Sequence, residues 1–109
     1  MRKVLFVCAA NLQRSPTAEN LFQGWKGVWE AKSAGIMPHP KGNPLTQELI
    51  DWADLIIVME PIHSQYIHAK FRCGRDKIRI LNIADIYFRD DPRLISILRM
   101  KVPPILGKY

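Results

Sequence analysis

The stretch Val-Cys-Ala-Ala-Asn-Leu-Gln-Arg-Ser-Pro, at residues 7–16, decides the fold of this chain. The apolar run at residues 4–7 is typical of a buried strand. Ser15 and Pro16 predict a helix that begins at Pro16 with Ser15 as its N-cap, because a serine hydroxyl caps free N–H groups and proline fits the first helical position. We therefore expect a loop between the end of a strand and the N-terminus of a helix.

Cys8 and Arg14 indicate that this loop binds an anion and carries a nucleophile. Backbone N–H groups and the helix dipole at such a junction attract phosphate, and an arginine can grip two of its oxygens. The same surroundings stabilise a thiolate, the reactive form of cysteine. Two other interpretations compete with this one. In the first, Cys8 is an inert core residue. In the second, residues 1–7 belong to an export signal, although their apolar run is shorter than the roughly 7–15 residues that such signals need.

Composition narrows the class of protein. We expect residues 1–109 to form a single domain, and a hydrophobic content of 48% suits a packed core. The two cysteines, Cys8 and Cys73, are too few for a disulfide scaffold and favour a reducing cytoplasm. The net charge of +6 favours acidic partners such as phosphorylated proteins. Neither a nucleic-acid-binding module nor a membrane span is predicted, and no spacing of cysteine and histidine resembles a zinc site.

Strand and helix patterns alternate along the chain. Buried strands are predicted at residues 4–7, 28–34, 55–59 and 78–81. Helices are predicted at residues 16–25, 43–53, 61–71 and 92–100, and residues 102–106 are expected to be extended. This alternation predicts an α/β fold with a parallel sheet. Ligands bind such sheets at the carboxyl ends of the strands, which is where the loop of residues 8–15 lies.

Residues 7–16 resemble the signature of the low-molecular-weight protein tyrosine phosphatases. Three further segments are similar to that family in the same order along the chain: Ser33-Ala34-Gly35, the run from Asp54 to Glu60, and the pair Asp91-Pro92. The resemblance covers nearly the whole chain. It implies a flavodoxin-like three-layer sandwich with a four-stranded parallel sheet in the order 2-1-3-4.

The resemblance also implies a role for each site residue. Cys8 would attack phosphorus and form a phosphocysteine, Arg14 would bind the equatorial oxygens, and Asp91 would be the general acid and then the base. Asn11 would hold the loop in shape, and Ser15 would donate a hydrogen bond to the Cys8 thiolate. The substrate phosphate would lie against Ala9, Ala10, Asn11, Leu12, Gln13 and Ser15. The implied reaction is hydrolysis of phosphotyrosine or another small aryl phosphate, with no cofactor.

Asp91 is one of three candidates for the acid. Asp85 and Asp90 lie in the same predicted loop, after the fourth strand. An aspartate directly before Pro92 is also a common helix N-cap. The three carboxylates therefore stay open as alternatives.

The sequence departs from the family at the positions that surround the substrate. Gln13 stands where many members have a second cysteine, and Arg93 and Leu94 follow the Asp-Pro pair where many members have two tyrosines. Tyr87 and Phe88 offer another aromatic wall, unless they only pack the loop. These differences leave the substrate preference open.

Two further functions are considered on the same scaffold. Arsenate reductases share the signature, but they usually relay oxidation through two more cysteines, and this chain has only Cys73. Cys73 is expected at the opposite end of the sheet from Cys8, too far for a disulfide. The other alternative is a weakly catalytic phosphate-binding or phosphocysteine carrier module, which would need no acid. The physiological substrate and the oligomeric state are left open.

Overall fold

Four parallel strands form one sheet in the computed structural model, which describes residues 1–108. The strands are β1 (Arg2–Cys8), β2 (Trp29–Gly35), β3 (Leu55–Val58) and β4 (Ile78–Ile80), and their spatial order is β2-β1-β3-β4. The helices are α1 (Arg14–Phe22), α2 (Gln47–Trp52), α3 (Pro61–Lys70) and α4 (Pro92–Leu106), with short 3₁₀ turns at Trp25–Gly27 and Arg75–Lys77. The predicted flavodoxin-like α/β fold and its strand order are confirmed.

The central strand β1 supplies side chains to two hydrophobic cores, one on each face of the sheet. Successive side chains of a strand point to opposite faces. One core consists of Val4, Phe6 and Cys8 with residues of α1 and α4, and the other consists of Leu5 and Val7 with residues of α2 and α3. All five of these β1 residues are buried. Cys8 therefore lies at the carboxyl end of a strand whose last five residues are buried.

The structure places two helix starts differently from the sequence prediction. Helix α1 begins at Arg14, so Ser15 lies inside the helix and does not cap it. Helix α2 begins at Gln47, capped by the hydroxyl of Thr46, and not at residues 43–44. Pro44 instead bridges Gly35 at the end of β2. In both cases a tertiary contact engages a residue that the local pattern assigned to a helix start. Ser15 contacts the Cys8 sulfur, and Pro44 pairs with Gly35.

The prediction of an extended segment at residues 102–106 is wrong, because α4 continues to Leu106 through Pro103 and Pro104. Proline lacks an N–H group and disfavours a helix interior. Here packing outweighs that cost, since Val102 and Leu106 are buried and continue one apolar stripe. The stripe consists of Leu94, Leu98, Val102 and Leu106. None of the helices within residues 1–108 combines the length and the apolar character that crossing a bilayer requires.

The helical geometry of this segment makes Pro104→Ala a stabilising change. Pro104 is exposed, and alanine there restores a backbone N–H donor within the helix. We expect the free energy of unfolding in urea to rise by about 1–2 kcal/mol, the helical gain being partly offset by the freer unfolded chain. Pro92→Ala is the control and should give no gain, because Pro92 occupies the first turn of α4. A loss of stability in Pro104→Ala would indicate that the segment is not helical.

Candidate functional site

The Cys8 sulfur lies at the base of the loop that joins β1 to α1. Cys8 is only 2% exposed. Its Sγ accepts a hydrogen bond from the Asn11 backbone N–H at 3.3 Å and lies 2.9 Å from the Ser15 Oγ. The Ser15 Oγ itself accepts from the Asn11 Nδ2 at 2.8 Å and lies 3.5 Å from the Ala34 carbonyl oxygen. The Asn11 N–H and the Ser15 hydroxyl therefore both lie within hydrogen-bonding distance of the sulfur.

The Asn11 side chain holds the loop from within. Its amide nitrogen donates to the hydroxyls of Ser15 and Ser33, and its amide oxygen accepts from the Asn43 backbone N–H at 2.7 Å. The backbone of Asn11 has a φ of 52°, in the left-handed region that asparagine tolerates better than most residues. The side chain thus joins the loop to α1, to β2 and to the segment after β2.

Glycine is required where the segment after β2 passes the loop. A Cβ on Gly35 would lie 2.7 Å from the Ala9 carbonyl oxygen, and one on Gly42 would lie 2.7 Å from the Ala10 carbonyl oxygen. The close approach lets the N–H groups of Met37 and His39 donate to these two carbonyls at 2.9 Å each. The loop is therefore fixed by backbone hydrogen bonds on its outer side as well.

Arg14 is a buried cation at the start of α1, held by two other loops. Its Nη1 donates to the Ile83 carbonyl at 2.7 Å and to the Glu60 carboxylate, and its Nε lies 3.7 Å from the Asp85 Oδ1. A buried cation needs such partners, because an unpaired one is strongly destabilising. The sequence analysis assigned no role to Glu60. The sequence signal that could have identified Glu60 as a site residue was its position directly after the third strand. The carboxyl ends of β1 and β3 meet at the same edge of the parallel sheet, where Cys8 also lies.

A cavity of about 180 Å³ opens above the sulfur. Its lining consists of Cys8, Ala10, Leu12, Gln13, Arg14 and Asp85. Three other residues predicted to bind phosphate lie outside this lining. The Ala9 carbonyl oxygen accepts the Met37 backbone N–H, and the side chains of Asn11 and Ser15 are buried behind the sulfur. A larger cavity of about 390 Å³ beside Ser33 and Leu49 is lined by none of the predicted site residues.

The structure separates the three candidate acids. Asp91 is the N-cap of α4; its carboxylate accepts from the Arg93 backbone N–H at 2.8 Å and pairs with the Arg93 guanidinium at 3.0 Å. The hydrogen bond from the Arg93 side chain, followed by the one from the Arg93 backbone N–H, lowers the pKa of Asp91. Asp90 is exposed, and its backbone N–H donates to Thr17. Of the three, only Asp85 lines the cavity.

His63 is a buried titratable group beside the site that the sequence analysis did not single out. Its Nδ1 accepts the backbone N–H of Glu60 at 3.1 Å, and the side chain is 1% exposed. Burial, followed by the nearby charge of Arg14, lowers the pKa of His63. The neutral imidazole therefore fixes the backbone of Glu60, whose carboxylate binds Arg14. Within residues 1–108, no group of three or more His, Cys, Asp or Glu side chains is placed to hold a metal ion.

A parallel sheet whose first strand ends in a cysteine, followed by a loop that closes on a buried arginine, is the arrangement that the resemblance implied for a phosphatase that uses a cysteine. Comparison with known proteins agrees. The model of the family described as low molecular weight phosphotyrosine protein phosphatase matches residues 3–48. A protein-arginine-phosphatase from Bacillus subtilis is 33% identical, in a match that covers 69% of this chain and 67% of that protein.

Solved structures give the same result. The chain is similar to a low molecular weight protein tyrosine phosphatase from Bacillus subtilis, with 28% identity, 97% of each chain covered and a TM-score of 0.75. A second such protein, from T. tengcongensis, shares the fold over 100% of both chains with a TM-score of 0.80 and 24% identity. This chain belongs to the low molecular weight phosphotyrosine protein phosphatase family.

The buried His63 predicts a dependence of stability on pH. The unfolded chain binds a proton at this histidine below about pH 6.5, whereas the folded protein keeps it neutral to lower pH. The stabilisation is therefore present above about pH 6.5 and is lost as the pH falls toward the folded pKa. We expect urea unfolding to show this loss in the wild type and much less of it in His63→Asn.

His68→Asn is the matched control, since His68 is an exposed histidine on the same helix. It should retain the pH dependence of the wild type. Equal dependence on pH in the wild type and in His63→Asn would contradict the assignment.

Proposed function

We propose that this protein hydrolyses phosphotyrosine or another aryl phosphate monoester through a phosphocysteine at Cys8. The observation that carries the proposal is one small cavity lined by a thiol nucleophile, a phosphate-binding guanidinium and a carboxylate: Cys8, Arg14 and Asp85. A phosphate-binding carrier would not need the carboxylate. The charge of +6 suits an acidic phosphoprotein as substrate, and we propose that this protein acts in the cytoplasm.

The proposed reaction has two displacements at phosphorus. In the first, the Cys8 thiolate forms the S–P bond while the P–O bond to the aryl group breaks, and the departing phenolate oxygen takes a proton from the acid. In the second, water gives a proton to the same carboxylate and attacks phosphorus, and the P–S bond breaks. Inorganic phosphate and the thiolate result. Arg14 and the loop N–H groups stabilise the charge on the transferred oxygens in both steps.

We propose Asp85 as the acid, with Asp91, the candidate from sequence, as the alternative. Asp85 lines the cavity, whereas the carboxylate of Asp91 is occupied by Arg93. Because 62% of the Asp85 side chain is exposed, water can exchange its proton between the two steps.

Apolar side chains around the cavity support an aryl leaving group. Ala10 and Leu12 form part of its wall. Beyond Asp85, Ile86 and Phe88 are 71% and 78% exposed. Tyr87 between them turns inward and packs against the core, with the Arg93 guanidinium 5.5 Å from its ring. The exposed pair is available to contact a phenol ring.

Phosphoarginine is the second candidate, because a relative with 33% identity is a protein-arginine-phosphatase. A guanidinium leaving group would require a carboxylate at the mouth of the cavity, and Asp85 is available there. Arsenate reduction is less well supported. Cys73 is a free thiol that precedes β4, whereas Cys8 ends β1, and burial raises the pKa of the Cys73 thiol, which makes it a poorer nucleophile.

Removal of the nucleophile tests the reaction. The wild type should hydrolyse nitrophenyl phosphate in the presence of a chelator, and Cys8→Ser should lose nearly all activity but still bind vanadate. Arg14→Lys should lose most activity too, because a point charge cannot replace the planar fork. Activity of Cys8→Ala comparable to the wild type would refute the proposal.

Phosphotyrosine and phosphoarginine, placed in the same peptide sequence, test the substrate preference. We expect kcat/KM to be at least about tenfold higher for phosphotyrosine, and the reverse order would favour the second candidate.

The leaving group tests the acid. Asp85→Asn should lower kcat/KM by about 10²–10⁴ for phenyl phosphate, whose phenol needs a proton, and far less for nitrophenyl phosphate. Asp91→Asn is the control; it should weaken the start of α4 and affect both substrates equally. The opposite pattern, with the dependence on leaving group confined to Asp91→Asn, would assign the acid to Asp91.

A further inference from the structure

We propose that Gln13 and Thr17 act as positioning residues that clamp the loop of residues 81–91 against the phosphate-binding loop. The Gln13 Oε1 accepts the backbone N–H of Arg89, and the Thr17 Oγ1 accepts the backbone N–H of Asp90 at 2.9 Å. The inference rests on the proposed function, because the clamped loop carries the proposed acid.

The clamp is one connected chain of hydrogen bonds. The Thr17 hydroxyl also donates to the Gln13 backbone carbonyl at 2.8 Å, so the two side chains form a single unit. Thr17 is fully buried, and Gln13 lines the cavity that contains the Cys8 sulfur. A polar pair in this place would cost desolvation energy if it were not hydrogen-bonded. Both side chains are directed to the neighbouring loop.

The clamped loop has few other attachments. Most of residues 82–90 are exposed, and Ile83 is the buried exception. Ile83 fixes the first part of the loop, since its N–H donates to the Met59 carbonyl at 2.8 Å and its carbonyl accepts from Arg14. Two non-glycine residues in the left-handed region, Asn82 with φ 59° and Asp90 with φ 61°, stand at its ends. Such conformations persist only where surrounding contacts hold them.

Asp85 lies between Ile83 and Tyr87, which packs against the core, and the clamp holds the residues that follow Tyr87. The Ile83 contacts hold the loop on its N-terminal side, and the clamp holds it on its C-terminal side. Releasing the clamp should therefore loosen the loop on the C-terminal side of Asp85, while Cys8, Arg14 and the phosphate-binding loop stay in place. The expected effect falls on proton transfer to the leaving group and not on phosphate binding.

Two variants remove the acceptor oxygens at nearly constant size: Gln13→Met and Thr17→Val. Each should lower kcat/KM for phenyl phosphate by about fivefold, the effect of one neutral hydrogen bond, with a smaller loss for nitrophenyl phosphate. In Thr17→Val, whose side chain does not line the cavity, the inhibition constant of inorganic phosphate should stay within about twofold of the wild-type value. Thr17→Ser keeps the hydroxyl and should restore wild-type kinetics.

Amide hydrogen exchange tests the clamp without reference to activity. The Arg89 amide should exchange faster in Gln13→Met, and the Asp90 amide faster in Thr17→Val, because each loses its acceptor. Gln23→Met is the matched control: its side chain bonds the Ala31 backbone at the far end of α1, so it should lose stability without changing the dependence on leaving group.

Wild-type exchange and wild-type kinetics in both Gln13→Met and Thr17→Val would overturn the inference. So would an equal loss for both substrates together with weaker phosphate binding, which is the effect of a merely structural role. A wild type that cleaves no aryl phosphate would overturn the proposed function and the catalytic role of the clamp, while exchange at Arg89 and Asp90 would still decide whether the tether exists.

Discussion

The hydrogen bonds of the Asn11 side chain are the constraint on which the rest of the site depends. This amide links the loop to α1 through Ser15, to β2 through Ser33 and to the following segment through Asn43. The loop is therefore shaped before any ligand enters. A fixed set of donors stabilises developing charge more effectively than groups that must reorganise during the reaction. The position of the Cys8 sulfur follows from the same hydrogen bonds.

Charge in the site is balanced around Arg14. The guanidinium is 2% exposed and is neutralised by Glu60 and Asp85, which approach from the loops beyond β3 and β4. Paired in this way, a buried cation is tolerated. In the proposed reaction, the contact with Asp85 would link phosphate binding at Arg14 to the carboxylate that we propose as the acid.

Local patterns predicted the parts of this protein that depend on local physics. The apolar runs that became β1 and β3, and the alternation of strands with helices, predicted an α/β fold with a parallel sheet. The strand order was implied only by the resemblance of residues 7–16 to a known family, and the structure confirms it. Where the prediction failed, a distant contact decided the outcome. The Ser15 hydroxyl faces the sulfur and not a helix end, and burial of Val102 and Leu106 carries α4 through two prolines.

The choice of acid shows the same limit of sequence reasoning. An Asp-Pro pair is equally consistent with a helix cap and with a catalytic group, and only the tertiary structure places Asp85 in the cavity and Asp91 on Arg93. The roles of Glu60, Gln13 and Thr17 depend on contacts between residues 46–76 positions apart. Contacts between residues this far apart produce no periodic pattern in a single sequence.

The central claim is that Cys8 carries the phosphoryl group during turnover. The most direct measurement is to mix Asp85→Asn, in which hydrolysis of the intermediate should be slow, with nitrophenyl phosphate, denature the protein within one turnover, and map the added mass by peptide analysis. The account predicts one phosphoryl group on the peptide that contains Cys8, with the ³¹P resonance of a thiophosphate ester. Turnover with no phosphorylated protein, or with the phosphoryl group on another residue, would contradict it.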